Sequence, residues 1–446
     1  MPSAAADAPA GCLFSWGGGE EARGWRGHST GGVGPAQRPG WRSRFSHEGS
    51  PGPDAIAVAA SRNSLALGQG GQVLTWGRND SRGGGDAYHV RGRHSHSILD
   101  SGQLGRTGAD SWTPAPISTG ALTEEGARSI ASGRYHALAA GARTGAVYTW
   151  GLNDHGQLGR EGWGGRAAVR RCDRGQRCRD GMPRTAPALS APRLPAAVSV
   201  AAGRYFSVAV TADGRAYAWG RCACGRPDAA TLAASPADGK SLDTAVPYAM
   251  GGGGLERERV VGVAAGYAHL LLLTSTGAVF SCETGDDGYG GRLAPAPRPN
   301  AFGQLGREGA PLVPARIAPS ALGTLGPPRL IAAGRCASFA VDTQGVMRAW
   351  GCAQGSGHPP PDRRAPETLA SLVGWSVRSL AAGEYHAVAS NGTAVRVWGA
   401  GAGSAEPVTV AGLPPAAAVL SLAAGYQHSL AVVACSGTSD TGAHHI

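Results

Sequence analysis

Four histidines, His136, His269, His386 and His428, stand at the same place in a recurring Gly-x-x-His motif. Four imidazoles suffice to bind a transition metal, and a histidine is the commonest general base. The spacing argues against both. Each histidine belongs to a separate copy of the motif, and zinc needs its ligand nitrogens within about 2.1 Å. The alternative is a strand-start residue whose ring bonds to the backbone of a neighbouring loop. Asn63 at the same position keeps a hydrogen-bonding side chain, while Phe206 and Ala337 show that none is required.

The nine cysteines offer a second set of ligands: Cys12, Cys172, Cys178, Cys222, Cys224, Cys282, Cys336, Cys352 and Cys435. Two of the gaps between them are short, five residues from Cys172 to Cys178 and one from Cys222 to Cys224. Zinc loops usually place two to four residues between ligands. Free surface thiols are therefore expected, in a reducing compartment, and no metal. The Gly251–Gly254 run lacks the Gly-Lys-Ser/Thr ending of a phosphate loop, and Gly-x-Ser-x-Gly is present only in fragments such as Gly355-Ser356-Gly357. No carboxylate pair can be placed. Neither a classical enzyme nor a cofactor is expected.

The elements that carry these residues are short. In Ile130–Arg160, a small-residue step ends at Gly133, and two apolar runs, His136–Ala140 and Val147–Trp150, flank the turn at Gly145. The unit closes on Gly151 and the loop Asp154-His-Gly-Gln-Leu-Gly159. Two such runs around a glycine turn predict a hairpin, and a lone hairpin cannot bury its apolar face. Copies follow. They begin at Ala60, Gly133, Gly203, Gly266, Gly334, Gly383 and Gly425. A second anchor, Trp-Gly, comes about sixteen residues later, at Trp76, Trp150, Trp219, Trp350 and Trp398, and is replaced by Cys282-Glu283 in the fourth copy. The regular recurrence assigns these tryptophans to the framework, as large rings filling the space between units.

The final copy lacks its Trp-Gly, whereas Leu13–Gly17, with Trp16, is such a strand with nothing before it. A first unit split between the termini predicts a closed ring with no open sheet edge. Gly (72) and Pro (30) are abundant in the 446 residues, but the glycines recur at fixed offsets and 42 % of residues are apolar, so a core is expected. The net charge of +10 is nearly all arginine, Lys240 being the sole lysine, and leaves a modest preference for acidic partners or phosphate. The first residues lack the basic and apolar regions of a signal peptide, and no 18-residue apolar run is present; no membrane association is expected.

The repeated AAGxxHSLAL…VYxWGxNxxGQLG pattern resembles the regulator of chromosome condensation family, over nearly the whole chain. The resemblance implies one seven-bladed, all-β propeller over residues 1–446. Its long loops are expected at 18–53, 81–100, 161–192, 221–246 and 288–301. The founding member is a nuclear exchange factor for the small GTPase Ran that also docks on nucleosomes; others are scaffolds, or the plant UV-B photoreceptor. That last branch uses tryptophans in a Gly-Trp-Arg-His form of the first anchor. The matching pairs here, Arg134-Tyr135, Arg204-Tyr205, Tyr267-Ala268, Glu384-Tyr385 and Tyr426-Gln427, contain none, so UV-B sensing is not expected. The expected partner is another protein, a small GTPase in the first reading, in the cytoplasm or nucleus. The alternative is a chromatin-associated or general scaffold propeller without exchange activity, its Arg-rich loops, such as 170–179, meeting DNA.

The Trp-Gly to Gly-Gln-Leu-Gly link is compact in the second copy and interrupted in the first and fourth, by Ser81–Asp100 and Gly288–Ala301. Insertions at one point of two units emerge on one face, where repeat folds place recognition. Asp86, His89, Asp286, Asp287 and Tyr289 are the candidate partner contacts.

Overall fold

The computed structural model describes residues 11–17, 43–44, 55–77, 79, 102–106, 111–153, 155–160, 184–189, 194–227, 243–285, 300–323, 326–399, 402–414, 416–426 and 428–434. They form seven four-stranded antiparallel sheets, the blades of a propeller. In chain order these are blade 1 (55–116), blade 2 (127–189), blade 3 (197–249), blade 4 (260–316), blade 5 (328–368), blade 6 (379–409) and blade 7 (419–434 with 11–17 and 43–44).

Blade 2 shows why the sequence folds this way. Its strands are Ala127–Ser132, His136–Gly141, Val147–Gly151 and Arg184–Leu189. The small-residue step of each repeat is thus the innermost strand rather than a lead-in. Seven such strands converge on the axis, and each ends on alanine or serine before its turn. The second strand is buried at every residue, because both of its faces pack on neighbouring blades. The outermost strand is polar and often carries proline, as in Ser111–Pro116, Arg184–Leu189, Arg363–Thr368 and Ser404–Thr409. Proline and charge suit an edge that must not recruit another strand.

These outer strands correct three of the expected loops. The span 161–192 contains Arg184–Leu189, 221–246 contains the start of Asp243–Ala249, and 18–53 contains Ser43–Arg44. An edge strand with one solvated face and a proline has no apolar alternation to announce it.

The ring closes as the split repeat requires. Gly11–Gly17 pairs antiparallel with His428–Ala434, in register from Gly11 with Ala434 to Gly17 with His428. The buried apolar residues fall into seven clusters, one per junction between blades. An open row of seven blades would have six. The cluster at the closing junction joins Ala55, Val58, Ala66 and Trp76 of blade 1 to Ala423, Leu430 and Val432 of blade 7.

One backbone contact fixes which turns and links share an end of each blade. Gly151 ends the third strand of blade 2 at φ 101°, a left-handed conformation open to glycine. A Cβ there would lie 2.6 Å from the Tyr135 carbonyl oxygen. The next residue, Leu152, donates its N–H to that same oxygen at 2.8 Å. Arg221 to Tyr205, Thr284 to Ala268 and Cys352 to Cys336 repeat the contact in blades 3, 4 and 5. The turn after the first strand and the link after the third therefore lie at one end of each blade.

Candidate functional site at the channel mouth

At that end the blades are clamped pairwise. The Gln157 carbonyl oxygen of blade 2 accepts Trp219 Nε1–H at 2.9 Å and the Ser207 hydroxyl at 2.8 Å, both from blade 3. Gln304 of blade 4 does the same for Trp350 (2.9 Å) and Ser338 (2.7 Å) of blade 5. Gln103 takes Trp150 at 3.0 Å. The glycine of Gln-Leu-Gly lies under the indole: a Cβ on Gly306 would come within 2.7 Å of Trp350 Nε1. The Trp and Gly-Gln-Leu-Gly signatures are thus two halves of one contact between consecutive blades.

The histidines complete it. Nε2 of His136, His269, His386 and His428 lies 2.8–2.9 Å from the hydroxyl of Ser207, Ser338, Ser429 and Ser64, each in the next blade. The partner is a serine side chain rather than the loop backbone expected from sequence. Ser207 and Ser338 donate their single protons to a carbonyl, so they accept from the imidazole, and Nε2 carries the hydrogen there. Where the next blade offers Leu270 or Ala387 instead of serine, the histidine position holds Phe206 or Ala337. Burial holds His136 down to about 3 and the other three to about 4, so all four are neutral. These are neither ligands nor bases.

Between blades 3 and 4 the clamp is covalent. Blade 4 has Cys282 in place of tryptophan. Cys224 stands where the link of blade 2 has Leu158, and the two form a disulfide with Cα atoms 5.7 Å apart. Cys336 and Cys352 form another within blade 5, Cα atoms 5.4 Å apart. These bonds overturn the expectation of reduced thiols, and full burial of Cys222 and Cys224 overturns that of surface exposure. Cys172 and Cys178 lie outside the described residues. Among the described residues no group of three or more His, Cys, Asp or Glu is placed to hold a metal ion.

The mouth of the channel is built by the two residues that follow the repeated glycine. The first donates its N–H to the corresponding carbonyl in the next blade: Arg134 to Gly203, Tyr267 to Gly334, Arg335 to Gly383, Glu384 to Gly425, and Tyr426 to Ser61 across the closure. These five backbone bonds, 2.9–3.3 Å long, orient the side chains of the residues that donate them. The side chains form a circuit of stacked cations and aromatic rings. Arg62 lies over Tyr426 (4.8 Å) and Tyr135 (5.3 Å), and Arg134 over Tyr135 and Tyr267 (5.4 Å each). Arg204 lies over Tyr205 (4.7 Å) and Tyr267 (4.6 Å). Arg335 lies over Tyr267 (5.4 Å) and Tyr385 (5.2 Å), and Tyr385 meets Tyr426 edge-on at 5.5 Å.

Among the described residues, the Glu384 carboxylate faces these guanidiniums. Glu384 lies 3.7 Å from Arg335, and the charges of Arg134, Arg335, Arg62 and Arg204 all act on it. Burial nonetheless outweighs them and raises its pKa above the usual carboxylate value. Nearby, His155 in the blade 2 link meets Tyr205 at a tilt (centroids 4.6 Å apart) and pairs with Asp243 at 3.0 Å, with Arg221 3.8 Å from that same carboxylate. The sequence signal for the ring was present. Arg or Tyr occupies most of the positions after the glycine.

The insertions start and end on this face. In each link an asparagine holds the loop: Oδ1 of Asn79, Asn153 and Asn300 accepts the N–H of Leu104, Leu158 and Leu305. Asn79 stands just before the first insertion, and Asn300 lies near the end of the fourth-blade insertion. Glu283, in the place of the usual glycine, accepts from the Asn300 N–H (2.6 Å) and Gln304 Nε2 (2.7 Å), fixing the point where the second insertion returns. Asp86, His89, Asp286, Asp287 and Tyr289 lie outside the described residues.

Among the described residues no helix is long and apolar enough to cross a membrane. The chain spans 5 % of the length of human E3 ubiquitin-protein ligase HERC2, to which it is 30 % identical over 272 residues, 59 % of this chain. It is 27 % identical over 365 residues to the zebrafish (Danio rerio) Protein RCC2 homolog, covering 77 % of this chain and 61 % of that protein. Human WBSCR16 has the same fold, with a TM-score of 0.67, 19 % identity and coverage of 95 % and 99 % of the two chains. Prp20p of Saccharomyces cerevisiae does too, with a TM-score of 0.65, 21 % identity and coverage of 97 % and 93 %. Residues 144–210, and separately 127–157 with 197–226, match the family described as the Regulator of chromosome condensation (RCC1) repeat. With seven four-stranded blades around a closed ring, the chain is similar to regulator of chromosome condensation repeat proteins.

Proposed function

We propose that this propeller binds another protein through the face that carries the arginine–tyrosine ring and the Trp-Gly links. In this reading it acts as a guanine-nucleotide exchange factor, or an exchange-factor-like regulator, for a small GTPase. What supports the reading is that the described residues flanking the two insertions, clipped by Asn79 in blade 1 and Asn300 in blade 4, lie at the end of the blades that carries the arginine–tyrosine ring. The fold shared with Prp20p, whose structure is described together with that protein's binding to Gsp1p and histones, supports it. One face would hold the GTPase while an inserted loop disturbs its phosphate and magnesium site. Asp86, His89, Asp286, Asp287 and Tyr289 are the proposed contacts, and no cofactor is needed. Release of labelled nucleotide from a panel of small GTPases tests this; no acceleration anywhere in the panel defeats it.

The excess of guanidinium over carboxylate on the same face favours a second reading, a chromatin-associated scaffold without exchange activity. Binding to nucleosomes that weakens with salt, as log affinity against log salt, is its expected signature.

A further inference from the structure

We propose that Cys336 and Cys352 are a redox-active pair on the channel-mouth face, a disulfide that an external thiol opens, and the oxidised form of that thiol restores, while the propeller stays folded.

Redundancy is the first argument. The bond joins the turn after the first strand of blade 5 to the residue that follows Trp350-Gly351. Blades 2, 3 and 4 hold the same two points together with a backbone bond, from Leu152 to Tyr135, Arg221 to Tyr205 and Thr284 to Ala268. Blade 5 makes that bond as well, from the Cys352 N–H to the Cys336 carbonyl oxygen at 2.9 Å. The disulfide therefore duplicates a contact that three blades make without it, and it spans a sequence separation of only 16 within one blade. Cys224–Cys282 is the opposite case. It joins two blades, and its cysteines stand where other junctions have leucine and tryptophan. After reduction the backbone bond keeps Cys336 and Cys352 side by side; their Cα atoms, 5.4 Å apart when closed, lie within the usual span of a disulfide.

Access is the second. Cys224 and Cys282 have no exposed surface and sit in the apolar cluster between blades 3 and 4. Cys336 is partly exposed and directly follows Arg335, which lines the channel, while Cys352 is buried. Tyr135, Tyr205 and Tyr385 hold the Cys336 position in blades 2, 3 and 6, so the pair belongs to the mouth ring. Exposed disulfides are the labile ones, because a thiolate must reach a sulfur to attack it. The incoming thiolate bonds to the Cys336 sulfur, the bond to Cys352 breaks, and Cys352 leaves with the electron pair and takes a proton. A second thiolate attacks the small-molecule sulfur of the mixed disulfide and releases Cys336, which is protonated in turn. Two electrons pass from the two thiols to the cysteines, and the thiols depart as their own disulfide. This chemistry holds whether or not the face receives a GTPase.

The test uses the full chain purified without reductant and kept under native conditions at pH 8. One sample receives millimolar glutathione and another a reduced protein dithiol of the thioredoxin type. Free thiols are blocked at intervals with iodoacetamide, the remainder are reduced and labelled with N-ethylmaleimide, and the cysteine peptides are quantified. Cys336 and Cys352 should open at least about tenfold faster than Cys224 and Cys282, with the circular dichroism unchanged, and oxidised glutathione should close them again. Opening by glutathione assigns the site to small thiols; opening by the protein dithiol alone assigns it to a reductase that docks at the mouth. C352S should accumulate a glutathione mixed disulfide at Cys336 when oxidised glutathione is added. If C352S fails to fold, the rates in the parent decide. Resistance of Cys336–Cys352 to both reductants, or opening of the two disulfides at one rate, as global unfolding dictates, overturns the proposal.

Discussion

His136 and Ser207 meet at 2.9 Å across the junction of blades 2 and 3, and three further histidine–serine pairs repeat the contact around the ring. The bond needs neutral imidazole. The folded pKa values, about 3 to about 4, lie below the unfolded value near 6.5. Between pH 6.5 and about 4 the unfolded chain takes up protons that the folded chain refuses. Stability is fully present above that window and falls as pH drops through it, by up to about 1.4 kcal/mol per pH unit for each histidine. Urea unfolding between pH 7.5 and 5 should show the loss. H136N, which copies Asn63, should reduce the slope by about one proton; an unchanged slope would mean that His136 titrates normally in the fold.

The tryptophans predict a graded series. Trp219 and Trp350 donate to a glutamine carbonyl, whereas the buried Trp398 Nε1 makes no hydrogen bond. Phenylalanine removes similar bulk at each site, so the difference isolates the bond and the carbonyl it leaves unmet. W219F and W350F should each cost about 1–2 kcal/mol more than W398F. Equal costs would remove the clamp from the account.

The anchors were legible because each is written within one repeat: Gly-x-x-His, Trp-Gly and Gly-Gln-Leu-Gly recur regardless of what separates them. Their pairing was not, since Gln157 and Trp219 meet only when consecutive blades stack. The outer strands, such as Arg184–Leu189, were hidden by proline, by solvation and by a link of variable length. Cys224 and Cys282 are 58 residues apart and become neighbours only through the stacking of blades 3 and 4. The arginine–tyrosine ring is the least legible feature. Its members differ in type from blade to blade, and what unites them is their position at the axis.

The Cys224–Cys282 bond closes a loop of 58 residues. The chain-entropy relation gives about 4 kcal/mol for a loop of that size as an upper figure. Peptide mapping without reductant should recover the 224–282 linkage. Protein purified without reductant should lose roughly 2–4 kcal/mol on reduction, and a C224S/C282S variant should be insensitive at that junction. Recovery of both cysteines as free thiols would contradict the covalent clamp.

Glu283 titrates the other way. Burial pushes it up to about 7 against the lowering effects of the Asn300 N–H, Arg307 and Gln304. Its folded pKa exceeds the ordinary 4.5, so its contribution is present below pH 4.5 and is lost as pH rises towards 7. E283Q keeps the acceptor for Asn300 without the buried charge. It should be more stable than the parent at pH 8, by about 1–3 kcal/mol, with no gain at pH 4. A variant less stable at pH 8 would show that the carboxylate is needed as an anion.

The central claim is that a partner is read on the face where the insertions start and end. Nucleotide release from small GTPases, compared for the intact chain and for a chain with 81–100 and 288–301 replaced by short glycine-serine links, tests it most directly. The account predicts acceleration of at least one GTPase by the intact chain and its loss in the shortened one, with the thermal midpoint of the propeller preserved. Release unaffected by the intact chain across the panel, or equal with both proteins, would contradict it.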